Sequence, residues 1–580
     1  MARLTTSDAS IAATAPGGFH GQVNHHARSA EFANALSFDA DHWFTEDDCT
    51  LMCFGEIHNI AELAAELHLE TDVALAKLLL VAWRRWDRHL FRRLDGVFAL
   101  ALRTQAGLLL YRDPSGFCDL YAHVVPAGPV SFASDLGRLV RLPGVERRLS
   151  RPSLHEYLRF GDVAAPRTIY RDVLSLEPGV MTWCSSAGVE SLICPGPTAT
   201  TVTPTYAQAV DQLELHLQRA VASRLTDAKH PAVFLSGGVD SSLLCAIAGQ
   251  LRPDLTALTV GFDRADLDES PVAAGIARHL GVHHEVLRFG RAEQGAAFAR
   301  LCAGAGQPSA DPATTMTVLA LDACRGRFDV VLDGTGADEA LGLLPPRHIR
   351  VAVQFMSRVP APLRALLTRL LRTLPSLASY AALTDFEHPA DTMIRWKGFQ
   401  RHEIEQLCNE PVSFAGTRFY RTFASFSRSD HFALYSALVE AMPSERLNHA
   451  MRVSGVRLRF PFCESAANQF VRGLPLSYRY QDGQPKRILR TLLARHVPSA
   501  LWEAPKHGFD VPLLEFMDTN SATQAEHQLQ EARWASCHVL SPSAVAPWIA
   551  AFKSGDTRFL FRVWQLVLLG AWMEAHGDPC

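Results

Sequence analysis

The pattern of apolar and polar positions divides the chain into two parts. Between about residues 18 and 195, short apolar runs alternate with turn-rich stretches, which is typical of many short strands. A helix is predicted at about 72–87, and strands are predicted at 51–59, 96–102, 107–113, 120–125 and 130–134. Short strands with an intervening helix indicate layered sheets with helices outside.

From residue 206 onward, apolar strands alternate with helical patterns. A helix at 206–224 precedes a strand at 232–235, a second strand lies at 255–262, and a helix with a third strand follows within 269–287. This alternation predicts a parallel sheet with right-handed crossovers, whose ligands bind beyond the carboxyl ends of the strands. Pro, Thr and Gly dominate residues 196–204, so we predict a linker there, between a domain at 18–200 and a domain at 206–580. Residues 1–17 are predicted to be a flexible lead-in.

Composition narrows the functional classes. The net charge is −4 and the sequence has no basic stripe, so no nucleic-acid partner is expected. None of the 12 cysteines belongs to a CxxC pair, so neither a disulfide framework nor a zinc site is indicated, and a reduced cytoplasm is the expected location. The start of the chain has no apolar core for a signal peptide. Residues 559–573 carry Arg562 and are too short to span a bilayer, so we expect a core helix and no membrane partner.

The stretch SGGVDSS, from Ser236 to Ser242, directly follows the strand at 232–235. Gly237 and Gly238 allow a tight turn, and an apolar helix begins after them. A strand, a glycine turn and a helix start present several backbone N–H groups to one point, which favours an anion. Asp240 beside them is suited to the Mg²⁺ that a polyphosphate needs. The alternative is an ordinary strand–turn–helix, whose glycines serve only the turn.

A second motif, FDVVLDGTGADEALG, covers residues 328–342. It combines a strand, a glycine turn and two acids, Asp338 and Glu339. Carboxylate oxygens suit Mg²⁺, and acids at this position also cap a helix start, so the two interpretations are compatible.

These motifs resemble one family. SGGVDSS resembles the pyrophosphate loop of the ATP pyrophosphatases, which cleave ATP between the α- and β-phosphates. FGEIHN, LDGVFALAL, YRDPSGFCDLY, FASDLGRL and TIYRDVLSLEPG occur in the order seen in glutamine-dependent asparagine synthetases. The resemblance implies an α/β protein, with an N-terminal Ntn-hydrolase-like αββα sandwich and a C-terminal ATP-pyrophosphatase-type parallel sheet with a helical elaboration.

The resemblance also implies site residues and cofactors, namely ATP and Mg²⁺. Asp240 and Asp338 would hold the metal. Lys506, in APKHGFDVPL, matches a lysine that faces the phosphates and the reaction intermediate, and Lys486, in PKRILRTLL, would contact pyrophosphate. Each lysine alone is more often an exposed surface residue. Residues implied in ATP binding are Leu235, Ser236, Gly237, Gly238, Asp240, Ser241, Ser242, Val260, Gly261 and Gly334.

Several positions depart from the family pattern, among them Glu464, which replaces a closing Asp. The family's glutaminase half uses an N-terminal cysteine as nucleophile, but residue 2 is Ala and the first cysteine is Cys49. Asparagine synthetases carry Glu, and β-lactam synthetases Tyr, where this chain has Thr335, whose hydroxyl is unsuited to general-base work at neutral pH. Arg457 stands where the family has Glu.

A degenerate glutaminase half predicts that the attacking amine belongs to the substrate itself. Two branches of the family work in this way, the β-lactam synthetases and the lasso peptide cyclases, and Thr335 disfavours the first. The expected substrate is therefore a precursor peptide, with a leader-peptide protease as partner. The basic segment 345–428 would shape a peptide groove or be a solvated helical face. Ammonia-dependent amidation of a small acid and a non-catalytic nucleotide-binding scaffold are also compatible with the sequence.

Overall fold

A computed structural model describes most of the chain. The described residues are 20–24, 30–31, 43–70, 72–125, 128–185, 188–193, 203–342, 347–373, 378–384, 398–424, 445–481, 484–503, 513, 517, 523, 527 and 540–577. The predicted lead-in at 1–17 lies outside them, as does most of the predicted linker at 196–204.

The first half of the chain forms two antiparallel sheets. One sheet has the strand order β2-β1-β8-β7-β9 and the other β11-β10-β6-β5-β4-β3. The strands are β1 His20–Asn24, β2 Ala30–Glu31, β3 Trp43–Glu46, β4 Cys49–Ile57, β5 Gly96–Thr104, β6 Gly107–Arg112, β7 Tyr121–Val124, β8 Pro129–Ala133, β9 Val173–Ser175, β10 Val180–Ser185 and β11 Gly188–Ile193. The helices are α1 Ile60–Glu66, α2 Leu75–Trp86, α3 Leu136–Leu139 and α4 Arg151–Phe160.

Alternation along β4 builds the layers of this half. Met52 packs between the two sheets with Phe132 of β8, whereas its neighbours Leu51 and Cys53 pack against the α1 and α2 layer. Successive side chains of a strand point to opposite faces, so one strand serves two cores. On the far side, Tyr121 of β7 packs against α4. The resulting order of layers is helix, sheet, sheet, helix, as predicted.

The second half is built on a parallel sheet with the order β14-β13-β12-β15-β16. Its strands are β12 Pro231–Phe234, β13 Thr256–Val260, β14 His283–Leu287, β15 Val330–Leu332 and β16 Leu458–Arg459, and a hairpin pairs β17 Tyr480–Gln481 with β18 Gln484–Pro485. Its helices are α5 Tyr206–Leu225, α6 Val239–Leu251, α7 Ser270–Leu280, α8 Arg291–Gly304, α9 Ala313–Cys324, α10 Ala337–Leu341, α11 Arg347–Met356, α12 Ala361–Thr373, α13 Arg401–Cys408, α14 Arg418–Ala424, α15 Glu445–Ser454, α16 Ser465–Gly473, α17 Leu476–Arg479, α18 Arg487–Leu493, α19 Pro542–Lys553 and α20 Leu560–His576.

The position of β12 in this sheet determines where a ligand can bind. From β12 the chain proceeds through β13 to β14 on one side, and then returns to β15 on the other side. Such a reversal opens a crevice at the carboxyl ends of the two central strands. Because β12 and β15 are paired in parallel, the loops that follow them lie side by side.

Helix α20 joins the two halves, as expected for a core helix. The Tyr157 hydroxyl of α4 donates a 2.8 Å hydrogen bond to the Gln565 carbonyl, and Gln565 Nε2 donates back to the Tyr157 carbonyl at 3.0 Å. Trp572 is fully buried. Across the described ranges, no helix combines the length and the apolar character needed to cross a bilayer.

Candidate active site

The loop after β12 enters α6 through a tight turn at Gly237. This glycine has φ +77°, a left-handed conformation, and a Cβ there would lie 2.8 Å from Val272 Cγ1. Ser241 Oγ accepts a hydrogen bond from the Ser236 backbone N–H at 3.1 Å, which closes the loop. The turn therefore lies at the amino end of a 13-residue helix, where backbone N–H groups and the helix dipole favour the binding of an anion.

The loop after β15 places its two acids differently. Glu339 Oε2 accepts a hydrogen bond from the Gly336 backbone N–H at 3.0 Å and so caps the start of α10. Burial raises the pKa of Glu339. The neighbouring carboxylate, Asp338, instead forms an ion pair with Lys486 across 2.6 Å. The helix cap is thus made by Glu339, which leaves Asp338 to face the adjoining loop.

The two loops touch at Gly334. A Cβ on this residue would lie 3.3 Å from the Ser241 backbone nitrogen and 3.5 Å from Asp240 Cβ. Glycine suits this close approach, since the neighbouring loop would have to move by a few tenths of an ångström to admit a Cβ. The contact keeps the loop that carries Asp338 against the loop that carries Asp240.

Lys486 joins the two loops electrostatically. Its ammonium pairs with Asp240 as well as with Asp338, and the residue is only 8% exposed. Burial alone would lower the pKa of Lys486, but the two carboxylates outweigh burial and raise the pKa above its ordinary value. Lys486 also has φ +60°, an uncommon conformation for a residue with a side chain. The structure therefore brings Asp240, Asp338 and Lys486 together.

These carboxylates fit a magnesium ion that is bound with a polyphosphate. Carboxylate oxygens from two different loops contact the same cationic group, the ammonium of Lys486. Mg²⁺ is usually held by one or two carboxylates together with phosphates and water. Within the described residues, no cluster of three or more His, Cys, Asp or Glu side chains forms a self-sufficient metal cage. A metal held by Asp240 and Asp338 would therefore take its other ligands from the nucleotide and solvent.

A cavity of about 330 Å³ opens above the two loops. It contains most of the residues predicted to bind ATP, namely Leu235, Ser236, Gly238, Asp240, Ser241, Val260 and Gly334. Three others lie behind its wall. Gly237 forms the turn, Ser242 is fully buried, and Gly261 packs so closely on β14 that a Cβ would lie 2.6 Å from Val286 Cγ1.

The other lysine predicted to face the phosphates, Lys506, lies outside the described residues together with most of its motif. Its role therefore stays a prediction.

The cavity also contains side chains that the sequence motifs did not single out. Asp333 Oδ1 accepts hydrogen bonds from the backbone N–H of Thr335, at 2.8 Å, and from its hydroxyl. Arg446 and Leu447 of α15 and Thr317 of α9 also line the cavity. A signal for Asp333 was available, because it directly follows a buried strand of a parallel sheet. Nothing in the local sequence of the two helices points to the site.

Two arginines tie the parallel sheet to the N-terminal domain. Arg224 forms a two-pronged ion pair with Asp95, with distances of 2.8 and 2.9 Å, and its side chain is 2% exposed. Arg459 of β16 pairs with Glu56 at 2.7 Å and with Asp227 at 2.7 Å. The carbonyl of Arg459 accepts the backbone N–H of Asp333 at 3.0 Å. Arg459 therefore contacts the N-terminal domain through its side chain and Asp333, in the wall of the cavity, through its backbone.

A second cavity, of about 100 Å³, lies between the domains. Arg457 contributes to it, with its guanidinium carbon 4.7 Å from the centroid of the Phe54 ring. The charge reversal at this position thus places a cation on the N-terminal domain. Of the two earliest cysteines, Cys49 is half-buried in β4, and burial raises the pKa of Cys53 to about 12. A thiol with such a pKa is a poor nucleophile at neutral pH.

Family models match both halves of the chain. The model described as asparagine synthase matches residues 212–574, and the model described as a glutamine amidotransferase domain matches residues 42–193.

Three relatives show the same likeness over different lengths. A putative glutamine-hydrolysing asparagine synthetase from Mycobacterium tuberculosis is 25% identical over 91% of this chain and 84% of its own length. Asparagine synthetase 1 from Bacillus subtilis strain 168 is 24% identical over 84% of this chain and 80% of its own. A carboxyethyl-arginine β-lactam synthase from Streptomyces clavuligerus is 29% identical over 50% of this chain and 55% of its own.

Proposed function

Because this chain belongs to the asparagine synthase family of ATP-dependent amide-forming ligases, we propose that it closes an amide bond within a single substrate, and that this substrate is a precursor peptide. The observation that carries the proposal is that Asp240 and Asp338 both line one cavity and are bridged by the ammonium of Lys486. That arrangement suits binding of Mg-ATP and release of pyrophosphate.

The first half-reaction joins a substrate carboxylate to AMP. A carboxylate oxygen forms a bond to the α-phosphorus of ATP, and the bond from that phosphorus to the bridging oxygen breaks to release pyrophosphate. Backbone N–H groups at the start of α6 bind phosphate oxygens, and the Lys486 ammonium offsets the negative charge that leaves with pyrophosphate. When bound between Asp240 and Asp338, Mg²⁺ supplies further charge neutralisation.

The second half-reaction forms the amide. The amine nitrogen bonds to the acyl carbon, the bond from that carbon to the AMP oxygen breaks, and the amine loses a proton. Asp333 is placed to take this proton, directly or through the Thr335 hydroxyl, since both residues line the cavity and are hydrogen-bonded to each other. A carboxylate two positions before Thr335 thereby replaces the family glutamate that the chain lacks.

An amine from the substrate itself is favoured over ammonia from glutamine. No cysteine occurs in residues 1–48, and Cys53 is buried in a strand with a raised pKa. Asp95 and Glu56, in the motifs that resemble the glutaminase half, are engaged by arginines of the other domain. Holding both reacting ends in one cavity replaces a bimolecular encounter, which favours ring closure. We extend the proposal to a lasso-type macrolactam, with a leader-peptide protease as partner and the cytoplasm as location.

Mass spectrometry of peptide products tests the proposal. Peptides with a free α-amine and an internal Asp or Glu are incubated with ATP and Mg²⁺, and matched peptides carry an acetylated α-amine. We expect a product lighter by one water from the free peptides only, together with AMP. Amidation of either peptide with ammonium salts, without cyclisation, would contradict ring closure.

A β-lactam-forming reaction is the second candidate, because the Streptomyces relative is 29% identical over half of this chain. Thr335 is the observation against it, since that branch uses Tyr at this position. Turnover of a small β-amino acid but of no peptide would favour this candidate.

A further inference from the structure

Helix α12 turns its apolar side outward. Leu363, Leu366 and Leu370 are 57%, 57% and 56% exposed, whereas Thr368 is 4% exposed. The Thr368 hydroxyl is hydrogen-bonded at 2.7 Å to the hydroxyl of the buried Thr384, which directly follows the 3₁₀ helix Ala378–Leu383. A helix of a globular protein normally buries its leucines and exposes its polar residues, so this helix has the reverse orientation.

The preceding helix shows the same inversion. Phe355 and Val351 of α11 are 66% and 57% exposed, one turn apart, while Met356 faces the protein. Tyr380, after α12, is 56% exposed. Large exposed apolar patches on a folded protein mark a surface that contacts something else.

The charge of this region is of one sign. Between residues 340 and 384 there are six arginines and no Asp, Glu or Lys, although the whole chain has a net charge of −4. The arginines are Arg347, Arg350, Arg358, Arg364, Arg369 and Arg372. Among the arginines whose side chains the structure describes, Arg358 and Arg369 are exposed and Arg364 is half-buried, so this surface is complementary to an anionic partner.

The helical positions define the shape of that partner. Leu363, Leu366, Leu367 and Leu370 follow the spacing i, i+3, i+4 and i+7, so they form one stripe along α12. At about 100° per residue, Arg364 and Arg369 fall on opposite sides of the stripe, each about a third of a turn away. A helix with a leucine stripe between two cationic edges is typical of helices that lie flat in a membrane interface.

We propose that α11 and α12 bind the surface of an anionic membrane leaflet through this leucine–arginine face, which consists of Val351, Phe355, Leu363, Leu366, Leu367 and Leu370 with Arg358, Arg364 and Arg369. The apolar side chains enter the boundary between headgroups and acyl chains, and the exposed Arg358 and Arg369 pair with lipid phosphates. Arg364 is half-buried and donates to the Val359 carbonyl at 3.3 Å, so it adds positive charge at the other edge. A lipid surface is favoured over an acidic peptide because it contacts both cationic edges at once. This proposal departs from the expectation of no membrane partner, since composition does not reveal which leucines are exposed.

Flotation of the full chain with vesicles tests the proposal. Vesicles of phosphatidylcholine alone are compared with vesicles that contain about one third phosphatidylglycerol. We expect the protein to float only with the anionic vesicles, and to be released by high salt. We also expect Leu366→Glu/Leu370→Glu to reduce the bound fraction tenfold or more, and Arg369→Gln to weaken binding about fivefold, as expected for one arginine near a charged surface.

The matched control is Leu215→Glu. Leu215 is 47% exposed on α5 and lies outside the face, so this variant should float like the wild type. All variants should keep the wild-type melting temperature. Three results would overturn the proposal: no flotation with anionic vesicles, equal flotation of the double variant, or retention on an acidic peptide resin without vesicle binding. A large fall in the melting temperature of the double variant would also overturn it, because the stripe would then be covered by the chain itself.

Discussion

The ammonium of Lys486 lies 2.6 Å from a carboxylate oxygen of Asp338, although the two residues come from distant segments of the chain. The same ammonium pairs with Asp240. It therefore stands between the two carboxylates that would hold a divalent cation, and such a cation would compete with Lys486 for them. Their exchange on nucleotide binding would release Lys486 toward the phosphates.

Replacing Lys486 separates its two effects. In Lys486→Met the carboxylates of Asp240 and Asp338 lose their cation and repel each other, so we expect tighter binding of Mg²⁺ in the absence of nucleotide. We also expect kcat for adenylation to fall about 10²-fold, as for removal of one group that stabilises transition-state charge. Titration calorimetry and pyrophosphate exchange measure the two effects. The exposed Lys229→Met is the control, and unchanged Mg²⁺ affinity in Lys486→Met would refute the competition.

Closing the gap between the two loops should damage the site without unfolding the domain. Gly334→Ala places a methyl group 3.3 Å from the Ser241 backbone nitrogen, so one loop must shift. We expect weaker ATP binding with a nearly unchanged melting temperature. Gly295→Ala is the matched control, because a Cβ there meets nothing within 4 Å, and a helical glycine-to-alanine change should stabilise by about 0.5–1 kcal/mol. Equal ATP affinity in both variants would show that the loop contact is dispensable.

Asp333→Asn should separate the two half-reactions. If Asp333 takes the amine proton, its loss lowers amide formation by about 10²–10⁴-fold but leaves carboxylate-dependent pyrophosphate exchange near the wild-type rate. Thr335→Val should have a smaller effect in the same direction. Asp263→Asn, at an exposed position, serves as control. Parallel loss of exchange and amide formation in Asp333→Asn would instead indicate a structural role.

The Arg224–Asp95 pair should couple the two domains energetically. Its side chains are 2% and 12% exposed, and loss of one partner of a buried pair costs about 3–5 kcal/mol because the other charge stays buried. We expect Arg224→Met and Asp95→Asn each to lower the free energy of unfolding in urea strongly. The double variant should lose less of this free energy than the sum of the two single losses. The exposed pair Arg495–Asp211 should cost less than about 1 kcal/mol. Additive losses at Arg224 and Asp95 would mean that the contact is not a coupled pair.

His449 should make stability depend on pH. Burial, with a further contribution from Arg452, lowers its pKa to about 3, and Asp119 acts in the opposite direction. The folded protein keeps this imidazole neutral, whereas the unfolded chain takes up a proton below about pH 6.5. The stabilisation is therefore complete above pH 6.5 and falls by up to about 1.4 kcal/mol per unit as the pH drops toward 3.

Urea unfolding of wild type and His449→Leu measures this dependence. The difference in unfolding free energy between them should be constant above pH 7 and should shift against the wild type by about 2 kcal/mol between pH 6.5 and 5. Identical pH dependence in both proteins would show that His449 is already charged or solvated.

Parts of the site could be predicted from sequence because they follow from strand order. Asp240 and Asp338 each come shortly after a buried strand of one parallel sheet, and the carboxyl ends of such strands share an edge. The pairing of Lys486 with both could not be predicted, since its segment reaches the site only through packing. The same holds for Arg224 with Asp95. The leucines of α12 lie in the basic segment 345–428, for which the sequence predicted either a peptide groove or a solvated helical face, and only the fold shows which leucines are exposed.

Exchange of labelled pyrophosphate into ATP, in the presence of candidate carboxylates, is the most direct test of the central claim. We predict exchange that requires Mg²⁺ and a carboxylate, and that falls about 10²-fold or more in Asp240→Asn and Asp338→Asn but not in the exposed Glu503→Gln. Retention of exchange in both aspartate variants, or formation of ADP and phosphate in place of AMP and pyrophosphate, would contradict the account.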